Sequence, residues 1–208
     1  MDDGTIHRLA DGTPVRTRPL RPEDREKLRN GFARLSPESK YRRFFSAPEA
    51  LSDAALDYLT HPDGRDHVAI GAELAAPDAD RSYGIGIARF VRLPDEASAA
   101  EAAVAVIDEM QHRGVGRLLL RELVGAARER GVTTFVCHVL ADNEPVRSML
   151  REVDAETPSA GEGGLLTYRL ALPEVLPDER DQGGAYRIFR LAAEGLRVIF
   201  RRVPGGGS

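Results

Sequence analysis

The chain has little cysteine, no long apolar run and no excess of positive charge. Its one cysteine, Cys137, excludes an internal disulfide. No apolar stretch approaches the ~20 residues that span a bilayer, and the acidic, polar start, MDDGTIHRLADG, is not typical of a signal peptide. The formal net charge of −4 does not suggest a nucleic-acid-binding surface. We therefore expect a cytoplasmic protein that binds neither nucleic acid nor a membrane.

Three common site signatures are also missing. A P-loop would need Gly-Lys followed by Ser or Thr at a helix start, and the dinucleotide fingerprint G-x-G-x-x-G would need glycine where Leu119 stands. The histidines show no metal-ligand spacing, so we expect no metal site. They are His7, His61, His67, His112 and His138.

The most informative stretch is VAVIDEMQHRGVGR, residues 104–117. Its apolar run predicts a strand, which leads through a polar turn into a helical pattern. The first amides of a helix have no partners within it, and Gly114 and Gly116 would let an anion approach them closely. Arg113 and Arg117 add two cations whose forked donors suit phosphate. The alternative is a glycine-rich strand–helix turn with a surface arginine.

Capping signals and periodicity predict alternating strands and helices. Helices are expected to begin at Pro22, Ser36 and Ser52, and Gly131 is a natural stop for the helix after the glycine turn. The predicted strands are 13–20, 68–74, 83–93, 101–107, 133–140 and 165–172, the two later helices are 114–130 and 143–151, and loops are predicted at 94–99 and 157–164. A mixed α/β (α+β) domain with helices on both faces of a sheet follows.

The chain is expected to divide into three parts. Residues 1–12 are predicted to be an N-terminal extension, 13–172 the domain, and 173–208 a linker with a C-terminal helix and a flexible tail. Residues 185–202 carry a helical apolar stripe. Our hypothesis is that this helix packs over the domain or over a second subunit, and we leave open whether the protein is a monomer or a homodimer.

The glycine turn resembles the pyrophosphate loop of the GNAT superfamily of N-acetyltransferases, which hold acetyl-CoA. The segments LSPESKYRRFFS, LDYLTHPDGRDHVAIGA, 100–131 and 134–152 are similar to the bacterial protein lysine acetyltransferases that modify acyl-CoA synthetases. The resemblance covers about residues 12–172. It implies a GNAT fold, which is a central, mixed and mostly antiparallel sheet whose splayed central strands hold acetyl-CoA.

The resemblance also implies which residues bind the cosubstrate. We expect a strand segment, the glycine turn and an asparagine after the following strand to contact acetyl-CoA. These residues are Val104, Ala105, Val106, Gln111, His112, Arg113, Gly114, Val115, Gly116, Arg117 and Asn143. Asn143 would equally serve as a plain helix N-cap.

Glu101 is the candidate catalytic residue. It is the only ionised side chain in a predicted strand of Ala, Val and Ile, and a charge buried there must be paired or functional. It lies roughly 20 Å along the strand from Ile107 at ~3.3 Å per residue, about the reach of a pantetheine arm. In the resembling acetyltransferases a glutamate at this place is the general base, and an amide near Val106 would polarise the carbonyl. The alternative is a strand-end glutamate that points to solvent.

A general acid is less evident. Many superfamily members carry a tyrosine seven residues after the asparagine, but this chain has Leu150. Tyr168 is a weak substitute, and a thiolate with a pKa of roughly 8.5 can leave without an acid. Cys137 and His138 are adjacent in a strand, so they point to opposite faces and cannot form a dyad.

The sequence thus predicts an acetyl-CoA-dependent N-acetyltransferase. Its acceptor is expected to be a protein lysine, with an acyl-CoA synthetase among the candidate partners, and the amine is expected to attack directly with Glu101 as base. Two alternatives stay open, a small-molecule amine acetyltransferase and a non-catalytic acyl-CoA-binding sensor or subunit.

Overall fold

The computed structural model describes residues 4–44, 49–78, 80, 83–141, 147, 159–160 and 165–174. The described strands form one sheet in the order β1-β2-β3-β4-β5-β6-β8-β7. The strands are β1 (Thr5–Arg8), β2 (Pro14–Pro19), β3 (His67–Leu74), β4 (Gly86–Leu93), β5 (Glu96–Val106), β6 (Thr134–Leu140), β7 (Ser159–Ala160) and β8 (Leu165–Ala171). The helices are α1 (Arg25–Ala33), α2 (Pro37–Phe44), α3 (Asp53–Thr60) and α4 (Val115–Glu129), with short 3-10 turns at Pro22–Asp24 and Asp108–Met110.

Strand pairing is antiparallel except between β5 and β6, which are parallel. The expected mixed, mostly antiparallel sheet is therefore confirmed. The parallel pair is connected through α4, as a parallel crossover requires. Residues 5–8, expected in an N-terminal extension, form an edge strand paired with β2.

The two faces of the sheet carry different helices. α4 packs on one face, where Leu119, Leu123 and Ala127 are fully buried against β-strand residues such as Phe90 and Phe135; all five belong to one apolar core. This is the 3.6-residue stripe that the sequence predicted. The opposite face is covered by α1 and α3.

The structure confirms the predicted helix caps. The Ser52 hydroxyl accepts a hydrogen bond from the Ala55 amide at 3.2 Å, and Ser36 does the same for Ser39 at 3.1 Å. Gly131 takes a φ of 74° directly after α4.

Two predicted loops are wrong in part. β5 begins at Glu96, five residues before the predicted start, because Glu96 and Ala100 pair with Leu93 and Arg92 of β4. Ser159–Ala160 pairs with β8 inside the predicted loop 157–164. The predicted helices 143–151 and 185–202 lie outside the described residues, except for position 147.

Candidate active site

β5 and β6 separate partway along their length. They pair only at Ala99, Ala100 and Glu101, with Glu101 opposite Val136, whereas β5 stays paired with β4 as far as Val106. The Ile107 amide donates to Ile85 at 3.1 Å, on the β4 side. Since successive amides of a strand point to opposite sides, the Val106 amide points into the gap that opens beside β6. The predicted splay of the central strands is therefore confirmed.

The segment 111–116, here called the glycine loop, connects β5 to α4. Gly114 caps the helix with a φ of 93°, and no atom lies within 4 Å of a Cβ built there. Leu118 donates the first helical hydrogen bond to the Gly114 carbonyl at 3.0 Å. The amides of Val115, Gly116 and Arg117 therefore precede the first helical hydrogen bond, a position that suits an anion.

The side chains of the glycine loop have protein partners. Gln111 donates to the Val106 carbonyl at 3.1 Å and so anchors the loop to the end of β5. Arg113 contacts the β1–β2 turn, where its guanidinium donates to Asp11 at 2.7 Å and to Thr13 at 2.9 Å. Hydrogen bonds from Thr13, and then from Arg113, lower the pKa of Asp11 to about 2. His112 is exposed at a φ of 59°.

The other expected cosubstrate residues divide between the two faces of β5. Val104 is buried beneath α4, and Ala105 points to the opposite face, in line with Ile87 of β4. Arg117 is half-buried on the first turn of α4. Asn143 and Leu150 lie outside the described residues.

Glu101 lies inside the sheet and not at a solvent-exposed strand end. Its side chain is 16% exposed, and Oε1 lies 2.9 Å from Nε2 of His138 on β6. The two groups are not aligned as a hydrogen bond, and within the described part of the chain buried Oε1 has no hydrogen-bond partner. An acceptor in that state costs about 1–3 kcal/mol, so it is suited to receive a donor from a substrate.

Two further buried ionisable groups share the face of Glu101. Arg89 on β4 is 3% exposed and His67 on β3 is 8% exposed. Burial lowers the pKa of Arg89 to about 10, against the opposing effects of Tyr58 and Glu101. Burial, and then the charge of Arg89, lower the pKa of His67 to about 4. We call His67, Arg89, Glu101 and His138 the polar layer.

α3 covers part of this layer. The Tyr58 ring stacks on His67 with centroids 4.8 Å apart, and the Arg89 guanidinium lies 5.2 Å from the same ring. Sequence reasoning missed Arg89 and Tyr58. A signal existed, since Arg89 interrupts the apolar start of β4, but nothing in the sequence indicated that it lies beside Glu101.

An apolar cleft opens on the same face, beside α1. Ala105, Ile107 and Ile87 line it, while Glu101 does not. The carboxylates that line it, within the described part of the chain, are paired with cations of the same lining. Asp24 accepts from Arg18 at 2.7 Å, and Glu73 accepts from Lys27 at 2.6 Å.

Contacts from the residues before the glycine loop hold the start of α2. Asp108 accepts from the Ser36 amide at 2.8 Å and from the Ser39 hydroxyl at 2.7 Å. Glu109 accepts from Arg34 at 2.8 Å. The α1–α2 connection and the 3-10 turn before the glycine loop are therefore joined by charge-assisted hydrogen bonds.

Cys137 and Tyr168 face away from the polar layer. They are directly opposite each other on β6 and β8 and belong to the core beneath α4. Burial raises the pKa of Cys137 to about 12, so the thiol stays protonated. The prediction that Cys137 and His138 do not form a dyad is confirmed. Tyr168 is 2% exposed on the face opposite Glu101, which is a poor place for a general acid.

Comparison with known proteins identifies the family. The profile of the acetyltransferase (GNAT) family matches residues 34–154. This chain belongs to that family. It is 33% identical over 147 residues to acetyltransferase PA5475 of Pseudomonas aeruginosa, covering 71% of this chain and 77% of that protein. It is 37% identical over 141 residues to acetyltransferase Pat of Mycolicibacterium smegmatis, covering 66% of this chain but only 40% of that protein.

Solved structures agree with the fold. The GNAT domain of Streptomyces lividans PAT superposes with a TM-score of 0.71 at 30% identity, covering 81% of this chain and 96% of that one. A Salmonella typhimurium acetyltransferase solved with its cofactor acetyl-CoA superposes with a TM-score of 0.56 at 16% identity, covering 80% and 99% of the two chains, and supports the fold alone.

The family membership makes this GNAT protein an acetyl-CoA-dependent acetyltransferase. Its residues fit that cosubstrate, since the open cradle at Gly114, the helix-start amides and the divergent strands suit a pyrophosphate followed by a narrow arm. Among the described residues, no group of His, Cys, Asp or Glu is arranged to hold a metal ion. No helix in the described ranges is long and apolar enough to cross a membrane.

Proposed function

We propose that this protein transfers the acetyl group of acetyl-CoA to a lysine side chain of a protein, with Glu101 as the general base. A lysine amine has an unperturbed pKa of roughly 10.4 and arrives protonated at neutral pH. Glu101 takes a proton from the ammonium, which leaves the nitrogen lone pair free to attack.

The observation that carries this proposal is the position of the Glu101 carboxylate. It lies at the last paired position before β5 and β6 diverge, and buried Oε1 has no hydrogen-bond partner among the described residues. A donor that enters the gap would meet this acceptor. A carboxylate there without a function would be an unexplained cost to folding.

Arg89 attracts this carboxylate. The charge of Glu101 raises the pKa of Arg89 against the larger effect of burial. Because Arg89 is 3% exposed, water screens this attraction little. The Glu101 carboxylate therefore shares its face of the sheet with a buried cation.

The glycine loop would hold acetyl-CoA, which supplies the acetyl thioester for the reaction. The amides of Val115, Gly116 and Arg117 would bind its pyrophosphate at the helix start. The Val106 amide, which points into the gap, is suited to stabilise negative charge on the thioester oxygen. Cys137 is buried on the other face, so the transfer we propose is direct.

A protein lysine is favoured over a polyamine by the lining of the apolar cleft. Among the described residues, the carboxylates of this lining are Asp24 and Glu73, and both are paired, with Arg18 and Lys27, so neither is available to a polycationic ligand. The similarity to Pat and to the PAT domain, and the resemblance of four segments to bacterial protein lysine acetyltransferases, point the same way. An acyl-CoA synthetase is our first candidate acceptor.

Thiol release from acetyl-CoA tests the proposal. We expect release that depends on an acyl-CoA synthetase, and Glu101→Gln should lower kcat by about 10²–10⁴-fold. Glu96→Gln is the matched control because it makes the same change on the same strand, in a side chain that is 42% exposed and pairs with Arg169. Calorimetry should show that both variants bind acetyl-CoA like the wild type.

Other outcomes separate the alternatives. If the Glu101→Gln variant still releases thiol, the protein is an enzyme but Glu101 is not its general base. Release with polyamines or aminoglycosides but with no protein would indicate a small-molecule enzyme. Tight acetyl-CoA binding without turnover on any amine would indicate a sensor or subunit.

A further inference from the structure

His138 bridges the gap between the separating strands. The last β5–β6 pair is Glu101 with Val136, and His138 follows two residues later on β6, on the same face. Its Nε2 nevertheless lies 2.9 Å from Oε1 of Glu101. A side-chain contact therefore continues across the two strands where their backbone pairing has ended.

The second ring nitrogen of His138 is also engaged. Nδ1 lies 3.0 Å from the Thr167 hydroxyl of β8, and Thr167 is directly opposite His138 in the β6–β8 register. The three side chains form a row across β8, β6 and β5. An imidazole held at one nitrogen presents the other in a set direction. The Thr167 hydroxyl can donate or accept and fits either tautomer, whereas the Glu101 carboxylate can only accept.

The contact with Glu101 is close but not aligned as a hydrogen bond. Hydrogen bonds of catalytic groups are often misaligned in the absence of substrate and tighten when it binds. Both side chains are largely buried, at 11% exposed for His138 and 16% for Glu101. Little water competes for the contact, and the neighbouring Thr167 restricts rotation of the ring.

We propose that His138 is a positioning residue for Glu101 and that Thr167 holds its ring in place. The ring carries a hydrogen on Nε2, because the carboxylate beside it can only accept, and Nδ1 accepts a hydrogen bond from the Thr167 hydroxyl. The contact between Nε2 and Oε1 becomes an aligned hydrogen bond when the substrate enters. This orients the carboxylate toward the gap between β5 and β6. The inference rests on the proposed role of Glu101 as the base.

A pair of substitutions tests the donor. Gln can place an amide nitrogen near the position of Nε2, whereas Leu has a similar bulk and no donor. We expect His138→Leu to lower kcat by about 10–100-fold, less than the loss of the base itself, while the KM for the amine and the Kd for acetyl-CoA change less than twofold. His138→Gln should recover most of kcat. A KM increase without a kcat loss, or no recovery with Gln, would overturn the proposal.

A double substitution separates this proposal from the function of Glu101. If His138 acts through Glu101, His138→Leu should cause no further loss in a Glu101→Gln background. Independent, multiplicative losses would contradict the positioning role and leave Glu101 as the base. Full activity of Glu101→Gln would instead remove the proposed base, and with it the premise of the inference.

A measurement on the protein alone completes the test. Nitrogen-15 chemical shifts of the His138 ring at neutral pH report which nitrogen carries the hydrogen. We expect the Nε2–H tautomer in the wild type and in Thr167→Val, and a mixture in Glu101→Gln, whose amide can donate as well as accept. A wild-type ring with its hydrogen on Nδ1, donated to Thr167, would overturn the proposal.

Discussion

The two faces of the central sheet differ in chemistry although the same strands form both. Beneath α4, β4 and β5 contribute Ala88, Phe90, Ala102 and Val104, all buried in one apolar core. On the opposite face the sheet contributes the polar layer of His67, Arg89, Glu101 and His138. One face contributes apolar side chains to the core, and the other holds ionisable groups whose charged forms burial disfavours.

Two pKa values of the polar layer show that burial disfavours the charged forms. Burial lowers the pKa of both His67 and Arg89, so each is less basic than it would be in water. A fold keeps such groups when something other than stability requires them. The comparison therefore predicts that changes on the α4 face alter stability, and that changes in the polar layer alter activity or the dependence on pH.

The largest expected effect on stability is on the α4 face. Leu123 is fully buried, and Leu123→Ala should lower the free energy of unfolding by about 2–5 kcal/mol. Partly buried Leu118, which packs against the same core, is the matched control and should lose less. Denaturant unfolding measures both, and kcat per folded molecule should not change. A comparable fall in kcat would mean that the two faces are not separate in function.

A smaller effect is expected from His67, and only in acid. The pKa of His67 is about 4 in the folded protein, below its ordinary value of 6.5. Between these pH values the imidazole is therefore protonated in the unfolded chain and neutral in the folded protein. The contribution of His67 to the free energy of unfolding is therefore fully present above pH 6.5. About 3 kcal/mol of it is lost as the pH falls from 6.5 to 4. His67→Phe, which can keep a ring against Tyr58, should remove this part of the loss. Parallel curves for the two proteins in unfolding experiments from pH 7 to 4 would contradict it.

The smallest expected effect on stability comes from alanine substitutions of the glycines at the two ends of α4. Gly114 and Gly131 have φ values of 93° and 74°, and a Cβ built on either has no atom within 4 Å. Alanine at either site should therefore cost about 1 kcal/mol through backbone strain alone. Only Gly114→Ala should also weaken acetyl-CoA binding, because only that end carries the proposed pyrophosphate site. Calorimetric Kd values that rise equally in both variants would count against this assignment.

Local signals accounted for much of the architecture. Caps, proline positions and the glycine loop identified α1, α3 and α4, and runs of apolar residues identified β3, β4 and β6. The start of β5 was placed too late because Glu96, Ala97 and Ser98 resemble a loop, and pairing with β4 overrides that weak local preference. β1 was missed because the edge strand Thr5–Arg8 is mostly exposed and has no apolar alternation to reveal it.

The sequence by itself determined the family, the glycine loop and the choice of Glu101 as the candidate base, because each depends on neighbours within one short segment. Only the tertiary structure decided what surrounds that carboxylate. Arg89 comes from β4 on one side of Glu101. His138 comes from β6 on the other side, 37 residues after Glu101 in the chain. Arg113 likewise finds Asp11 across 102 residues. Strand register decides the contacts within the sheet, since a shift of one residue would turn Arg89, Glu101 or His138 to the other face.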